Sequence, residues 1–237
     1  MEVKKQTVVQ ARTLLIVFIT ALSTVSLGSI PWKQGNAVDE GNSTKVFQDS
    51  PAKWQSLFDG KTLTNWEILR YGGDGEPFVR DGVLVLPKPA KGAMTGVCWV
   101  GDELPDMNYE VYYEARRVEG SDIFAGFTFL YGETAASIVF GGWGGLVNGL
   151  SSIDGWDALD NETYQLIPWA NDRWYPVQLR VTPDSIRATV GSYNIVDLAT
   201  AGKEIHLRGD YLDTGFTLWI YNTTGEIRNI RIRNIDP

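Results

Sequence analysis

The sequence predicts an all-β domain, an antiparallel β-sandwich following an N-terminal signal-like segment. Three observations carry this prediction. Apolar and polar residues alternate with period two in many short segments. Gly, Pro and Asp recur between those segments at turn spacing. No amphipathic pattern long enough for more than a few helical turns appears anywhere from Trp54 onward. Many strands without helices to cover them must bury their apolar faces against one another, which makes two sheets packed face to face the economical architecture.

The chain opens differently. Lys4, Lys5 and Arg12 precede the apolar run LLIVFITAL (Leu14 to Leu22), and Ser23, Ser26, Gly28 and Ser29 follow it. A basic start, a short apolar run and a small-residue exit describe a secretory signal, with cleavage placed near Gly28. The apolar run from Thr13 to Ile30 also approaches spanning length, so the alternative is an uncleaved anchor and a membrane association. The segment carries those three cations against Glu2, so its removal leaves the chain about two charges more negative than the −8 of the whole. An acidic chain of this kind has no electrostatic footprint for nucleic acid. These features predict a secreted or periplasmic protein divided into a signal or anchor (1–28), a polar linker (29–53) and one β domain (54–237). Cys98 is the only cysteine, which leaves no intrachain disulfide to support the fold.

Within the domain the clearest pair of strands surrounds Pro183. Val177, Leu179 and Val181 alternate with Gln178, Arg180 and Thr182; Ile186, Ala188 and Val190 alternate with Arg187 and Thr189. The intervening Thr182-Pro183-Asp184-Ser185 is a turn, so the two read as a hairpin with one apolar and one wet face. Tyr109 to Val118 is a strand of mixed character, and Ile123 to Tyr131 is apolar on both faces, as a central strand is. Phe216, Leu218 and Ile220 share one face of a late strand, with Thr217, Trp219 and Tyr221 on the other. Ile230 and Ile232 share a face while Ile227 and Ile235 fall out of phase, which predicts bulges.

One stretch fits neither period. Gly141 to Thr163, GGWGGLVNGLSSIDGWDALDNET, holds six glycines, two tryptophans and the acids Asp154, Asp157, Asp160 and Glu162. Glycine is disfavoured inside both helix and strand, so the stretch reads as a long shaped loop, a kind that commonly carries function. Indole rings beside carboxylates offer a sugar an apolar face and acceptors for its hydroxyls. The alternative reading is a Gly-rich crossover whose tryptophans fill the core. The expected substrate-binding residues are Trp143 and Trp156 from this stretch, Arg173 and Trp174 from the next, and Trp219 and Tyr221 as a platform on the late strand. Trp219 and Tyr221 alternatively lie beneath other structure.

The chemistry available is narrow. His206 is the only histidine, so a multi-histidine metal site is impossible, and it stands in the polar connector Lys203 to Arg208. Cys98, between Val97 and Trp99, reads as a buried small hydrophobe. Carboxylates remain. Glycoside cleavage uses two of them on either side of the scissile bond, and Asp154, Asp157 and Glu162 are close enough in sequence for a folded loop to converge a pair. Asp154, Asp157 and Asp160 also supply oxygen ligands of the kind calcium takes, without EF-hand spacing; the residues call for no metal, and a calcium or other divalent ion is the one cofactor they admit. Asn42, Asn161 and Asn222 match the glycosylation sequon.

The entry into the domain, Trp54-Gln55-Ser56-Leu57-Phe58-Asp59-Gly60-Lys61-Thr62-Leu63-Thr64-Asn65-Trp66, carries an LFDGKTL-x-x-W opening that resembles the 3-keto-disaccharide hydrolase domain family, long called DUF1080. Phe78 to Leu84, Asn108 to Val111, Arg173 to Val177 and the closing Ile227-Arg228-Asn229-Ile230-Arg231-Ile232 fit the family's landmarks in order. The resemblance spans about residues 54 to 236. It implies a concanavalin A-like, LamG-type jelly roll of the kind found in exported planctomycete and Bacteroidetes proteins, and hydrolase or lyase activity on 3-keto-glycosides. The chain departs from the family pattern at three places. Its "NSG-x-x-x-R" is Ser121 to Phe129 here, without the arginine. Its "yE-x-Q-x-x-D" is Ala136 to Gly141, without Glu or Gln. Its "Q-x-H-G" is Leu218 to Asn222, without histidine. The expectation is therefore an exported carbohydrate-active domain with Asp154, Asp157 and Glu162 as catalytic candidates. The alternatives are a carbohydrate-binding module without turnover, or an envelope interaction domain that handles no sugar.

Overall fold

The computed structural model describes residues 52–208 and 215–235. The signal-like segment and the linker up to residue 51 lie outside the described residues. The strands, in chain order, are β1 (Gln55–Ser56), β2 (Trp66–Leu69), β3 (Phe78–Arg80), β4 (Val83–Leu86), β5 (Met94–Trp99), β6 (Tyr109–Gly120), β7 (Gly126–Tyr131), β8 (Thr134–Gly141), β9 (Val147–Ser151), β10 (Gln165–Leu166), β11 (Tyr175–Thr182), β12 (Ser185–Val190), β13 (Tyr193–Ala199), β14 (Thr217–Tyr221) and β15 (Thr223–Asn234). They form two antiparallel sheets. Sheet A runs β13-β12-β11-β6-β15-β4-β3, with β1 also on β15; sheet B runs β10-β9-β8-β7-β14-β5-β2.

The core lies between the sheets and follows the period-two patterns. Tyr109, Val111, Tyr113 and Ala115 of β6 and Val177, Leu179 and Val181 of β11 point inward from sheet A. Phe127, Phe129, Ile138, Phe140, Leu218 and Ile220 meet them from sheet B. The hairpin about Pro183 forms as its alternation predicts, with Val177 opposite Val190 and Thr182 opposite Ser185. The phase slip among the late isoleucines is a bulge: the register of β15 on β6 shifts between Arg228 and Arg231, and Asn229 takes a left-handed φ of 56°. One extra residue there brings Ile227 and Ile230 onto one inner face, where both are buried.

The glycine-rich stretch is not one long loop. Val147–Ser151 is a fully buried strand, β9, hydrogen-bonded to β8 on one side and β10 on the other. Its Gly149 exists for close approach, since a Cβ there would stand 2.8 Å from the Thr163 hydroxyl and 2.9 Å from the Thr163 carbonyl oxygen. Glycine marks a tight contact at this position rather than a loop, and that is why the composition misleads.

Candidate functional site: the rim of sheet B

Residues 152–164 leave β9 and fold back over sheet B. A short turn is closed by reciprocal hydrogen bonds between Ile153 and Trp156, 2.9 and 2.8 Å. Asn161 is buried and works as an internal brace. Its Nδ2 donates to the carbonyls of Leu150 (2.7 Å) and Trp156 (3.1 Å), while its Oδ1 accepts from the N–H and hydroxyl of Thr163 (2.9 and 2.6 Å). The Asn161 sequon is thus spent on structure. The connector 203–208 runs alongside: the Ser152 N–H donates to the His206 carbonyl (3.1 Å), and the Asp154 N–H to the Glu204 carbonyl (2.9 Å).

This placement sorts the acids. Asp154 and Glu162 converge on a single ammonium, with Lys203 Nζ 3.2 Å from one carboxylate and 2.6 Å from the other. Their oxygens therefore stand no farther apart than those two contacts added together, a spacing short enough for a glycosidase pair. Their protonation does not fit such a pair. The Glu204 N–H and then Lys203 hold the Asp154 carboxyl below its ordinary range, and Lys203 does the same to Glu162. The two acids in turn raise the Lys203 ammonium. Both carboxylates stay ionised at neutral pH, so neither is poised as a proton donor. Asp157 points elsewhere, to Arg208 at 2.9 Å, and accepts the Leu159 N–H at 3.0 Å. The three aspartates do not gather, and among the described residues no group of three or more His, Cys, Asp or Glu side chains is disposed to hold a metal ion.

Of the aromatic candidates, Trp156 is 61% exposed on the turn that carries Asp154. Trp143 is also exposed, at 43%, but it belongs to the Gly142–Gly145 turn between β8 and β9, where it adopts a left-handed φ of 50°. That turn and the Trp156 turn sit at opposite ends of β9, roughly 15 Å of strand apart. Arg173 is exposed with its guanidinium over the Tyr175 ring, and Trp174 carries Arg116 at 4.7 Å and Arg228 at 4.1 Å on its ring. Those two cations come from β6 and β15, so Trp174 belongs to sheet A. Tyr221 is exposed at the end of β14.

Trp219 is a correction. It is 1% exposed and packs with Ile123, Val139, Val147 and Ala158, flanked by Tyr71 and Met94. Gly126 on the neighbouring strand leaves room for it; a Cβ there would lie 2.5 Å from the indole. The loop supplies Ala158 to this cluster, so Trp219 is a covered residue and not a platform. Cys98 departs from expectation the other way, being only half buried.

The outer face of sheet B also locates the departures from the family pattern. The altered segments lie on β7, β8 and β14, which are neighbours in the order β8-β7-β14. Directly opposed residues form a row across five strands: Cys98, Thr217, Thr128, Ser137 and Ser151. The four hydroxyl residues are buried, and Thr128 and Ser137 hydrogen-bond at 2.8 Å. Small hydroxyls and an indole line the patch whose family pattern carries Arg, Glu, Gln and His. What the sequence reading missed is the cations that answer the acids, Lys203 and Arg208. Their signal was present as a basic connector in an acidic chain.

The family model of the 3-keto-alpha-glucoside-1,2-lyase-like domain matches residues 53–233. The chain belongs to this family. Solved structures agree on the fold. The chain is similar to the Crh5 transglycosylase in complex with NAG (10% identity, TM-score 0.52, covering 79% of this chain and 86% of that one). It is also similar to domain 4 of AbnA, a GH43 extracellular arabinanase from Geobacillus stearothermophilus, in complex with arabinotriose (14%, 0.50, 78% and 93%). A candidate glycosyl hydrolase from Parabacteroides distasonis is 16% identical, with TM-score 0.49 over 78% of this chain and 95% of its own. Among curated proteins nothing matches. The lyase-like domain is therefore an antiparallel jelly-roll sandwich, as its alternating segments predict.

Proposed function

We propose that this lyase-like domain is an exported carbohydrate-binding domain, with Trp156, Asp154 and Glu162 forming its sugar contact. The observation that carries the reading is the open Trp156 indole on the same turn as Asp154, whose carboxylate shares Lys203 with Glu162. A sugar ring stacks its C–H face on the indole, and two ionised carboxylates accept hydroxyl hydrogens beside it. The relatives bound to NAG and arabinotriose lend support for sugar handling on this kind of sandwich. Export rests on the basic-then-apolar start of the chain.

A second reading, turnover of a 3-keto-glycoside, draws on the family match over residues 53–233. Elimination from such a sugar begins with a base that takes the proton beside the ketone. Asp154 and Glu162 are in the protonation state a base requires, with an ammonium between them to stabilise developing negative charge. Acid-assisted hydrolysis by the same pair is disfavoured, because Lys203 opposes protonation of either acid.

Two measurements on the purified protein separate these readings: equilibrium binding to a panel of neutral oligosaccharides, and loss of a 3-keto-disaccharide over time. Binding without turnover, reduced at least tenfold in Trp156→Ala, supports the binding domain. Turnover that falls in Asp154→Asn or Glu162→Gln supports the lyase reading, and absence of both binding and turnover removes the carbohydrate proposal. Fractionation of the source cells tests export, and a cytosolic protein would contradict it.

A further inference from the structure

The outer face of sheet A holds a second feature, independent of the loop. Around β6, β15 and β11, arginines and glutamates alternate across the strands. Arg233 and Arg180 both bond Glu110, at 2.5 and 3.3 Å; Arg228 bonds Glu114 at 2.7 Å; Arg116 and Arg80 bond Glu226 at 2.6 and 3.1 Å. Arg231 is different. Among the described residues no carboxylate lies within ion-pairing range of its guanidinium, and none accepts a hydrogen bond from it. Two rings pack around it instead, with Tyr112 at 4.3 Å and Trp54 at 4.8 Å from ring centroid to guanidinium carbon, the rings inclined at 69° to each other. A guanidinium has five in-plane N–H donors; the two rings confine it, and among the described residues none of its donors finds a protein acceptor, the buried Nε included.

Arg231 borders a cavity of about 500 Å³ that it lines together with Trp54, Ser56, Tyr112, Glu114, Asn229 and Ile230. Two distant parts of the sequence build it, because β1 pairs with β15 and sets Ser56 opposite Arg231. The bulge at Asn229 turns that side chain to the same place, where its Nδ2 donates to Glu114 at 2.9 Å. Burial works to raise the Glu114 carboxyl, but hydrogen bonds from Asn229, Arg228 and Tyr112 outweigh it and keep the group ionised. The patch has twice as many arginines as glutamates, in a chain whose net charge is −8.

The geometry points to this cavity as a binding site for a carboxylate-bearing sugar of the uronate class. The volume suits one or two sugar rings. A confined guanidinium whose donors lack protein acceptors matches a carboxylate, which accepts from two N–H groups at once. Glu114, Asn229 and Ser56 supply acceptors and donors for hydroxyl groups around the ring. The carboxylate of Glu114 in the lining also selects against a phosphate dianion, whereas a monoanion rich in hydroxyls uses both charges.

The test is equilibrium binding of a short glucuronate oligosaccharide to the full chain, with its methyl ester, the neutral glucose counterpart and inorganic phosphate as comparisons. The expected result is that the free acid binds at least tenfold more tightly than the ester or the neutral sugar, that phosphate does not compete, and that added salt weakens binding. Arg231→Gln abolishes the preference for the acid and Arg231→Lys recovers only part of it. Ser56→Glu, an exposed change that places a second carboxylate at the mouth, abolishes binding if the arginine variants do not fold. Trp156→Ala leaves uronate binding unchanged, which separates this site from the proposed loop site. Equal affinity for acid and ester, undiminished binding in Ser56→Glu and Arg231→Gln, or no binding of the acid overturns the proposal.

Discussion

The two outer faces of this sandwich are finished in opposite ways. On sheet B the outward row is small and neutral, from Thr217 through Thr128 to Ser137, and it lies buried beside the covered Trp219. Charge there has moved to the covering loop, where Asp154, Asp157 and Glu162 fasten it to Lys203 and Arg208. On sheet A no comparable cover lies over β6 and β15 among the described residues, and their arginines and glutamates answer one another in place. A sheet face under a loop cannot afford unpaired charge, whereas an open face can hold cations such as Arg231 whose donors are left without a protein acceptor. The three segments that depart from the family pattern lie on strands of the covered face, where this chain presents small hydroxyls and an indole.

The largest effect expected is on the covered face. Trp219→Ala removes a fully buried indole and should cost about 3–5 kcal/mol in denaturant-induced unfolding. A much smaller loss would mean that the loop does not seal that face. On the open face, Glu110→Ala strips the buried acceptor from Arg233 and Arg180 and should cost about 3 kcal/mol. If it proves as mild as an ordinary surface change, the contrast between the faces weakens.

Lys203→Met tests the fastening between loop and connector through pH. The native carboxyls of Asp154 and Glu162 titrate below their unfolded values, so their contribution is complete above about pH 4–4.5 and disappears as pH falls through the lowered native values. The native Lys203 titrates above its unfolded value, so its share is lost only as pH rises through that higher range. Amide exchange across residues 154–162 should thus be slow near neutral pH, after correction for intrinsic rates, and faster in acid; in Lys203→Met it should be fast throughout. Equal protection in both proteins at pH 7 would show that backbone bonds alone hold the loop. The smallest expected effect on stability is Trp156→Ala, within about 0.5 kcal/mol. A large loss would place that ring in the packing and out of reach of any sugar.

The sandwich was legible wherever period two ran uninterrupted. The Pro183 hairpin and the isoleucine bulge can be read from residues within one strand of each other, because the cause is local. β9 was not legible, since Gly149 is demanded by Thr163 from another segment and reads in isolation as loop chemistry. The acids of the candidate site were visible, but their cations were not assigned to them, because Lys203 and Arg208 arrive from the far side of three intervening strands of sheet A. Trp219 and Trp156 look alike in sequence; only the glycine of the adjacent strand and the course of the loop make one interior and the other open. The cavity at Arg231 was invisible for the same reason, as Trp54 and Arg231 come from opposite ends of the domain.

That last pairing has a further consequence. Gln55 stands opposite Ile232 and Ser56 opposite Arg231, so the polypeptide enters and leaves the body side by side along one edge. A short bridge from residue 235 back to residue 52 would close the backbone into a ring, and a fresh opening at the Gly191 turn would give a rearranged chain with the same two layers. The same adjacency lets the body be spliced into a surface turn of another protein without stretching its host.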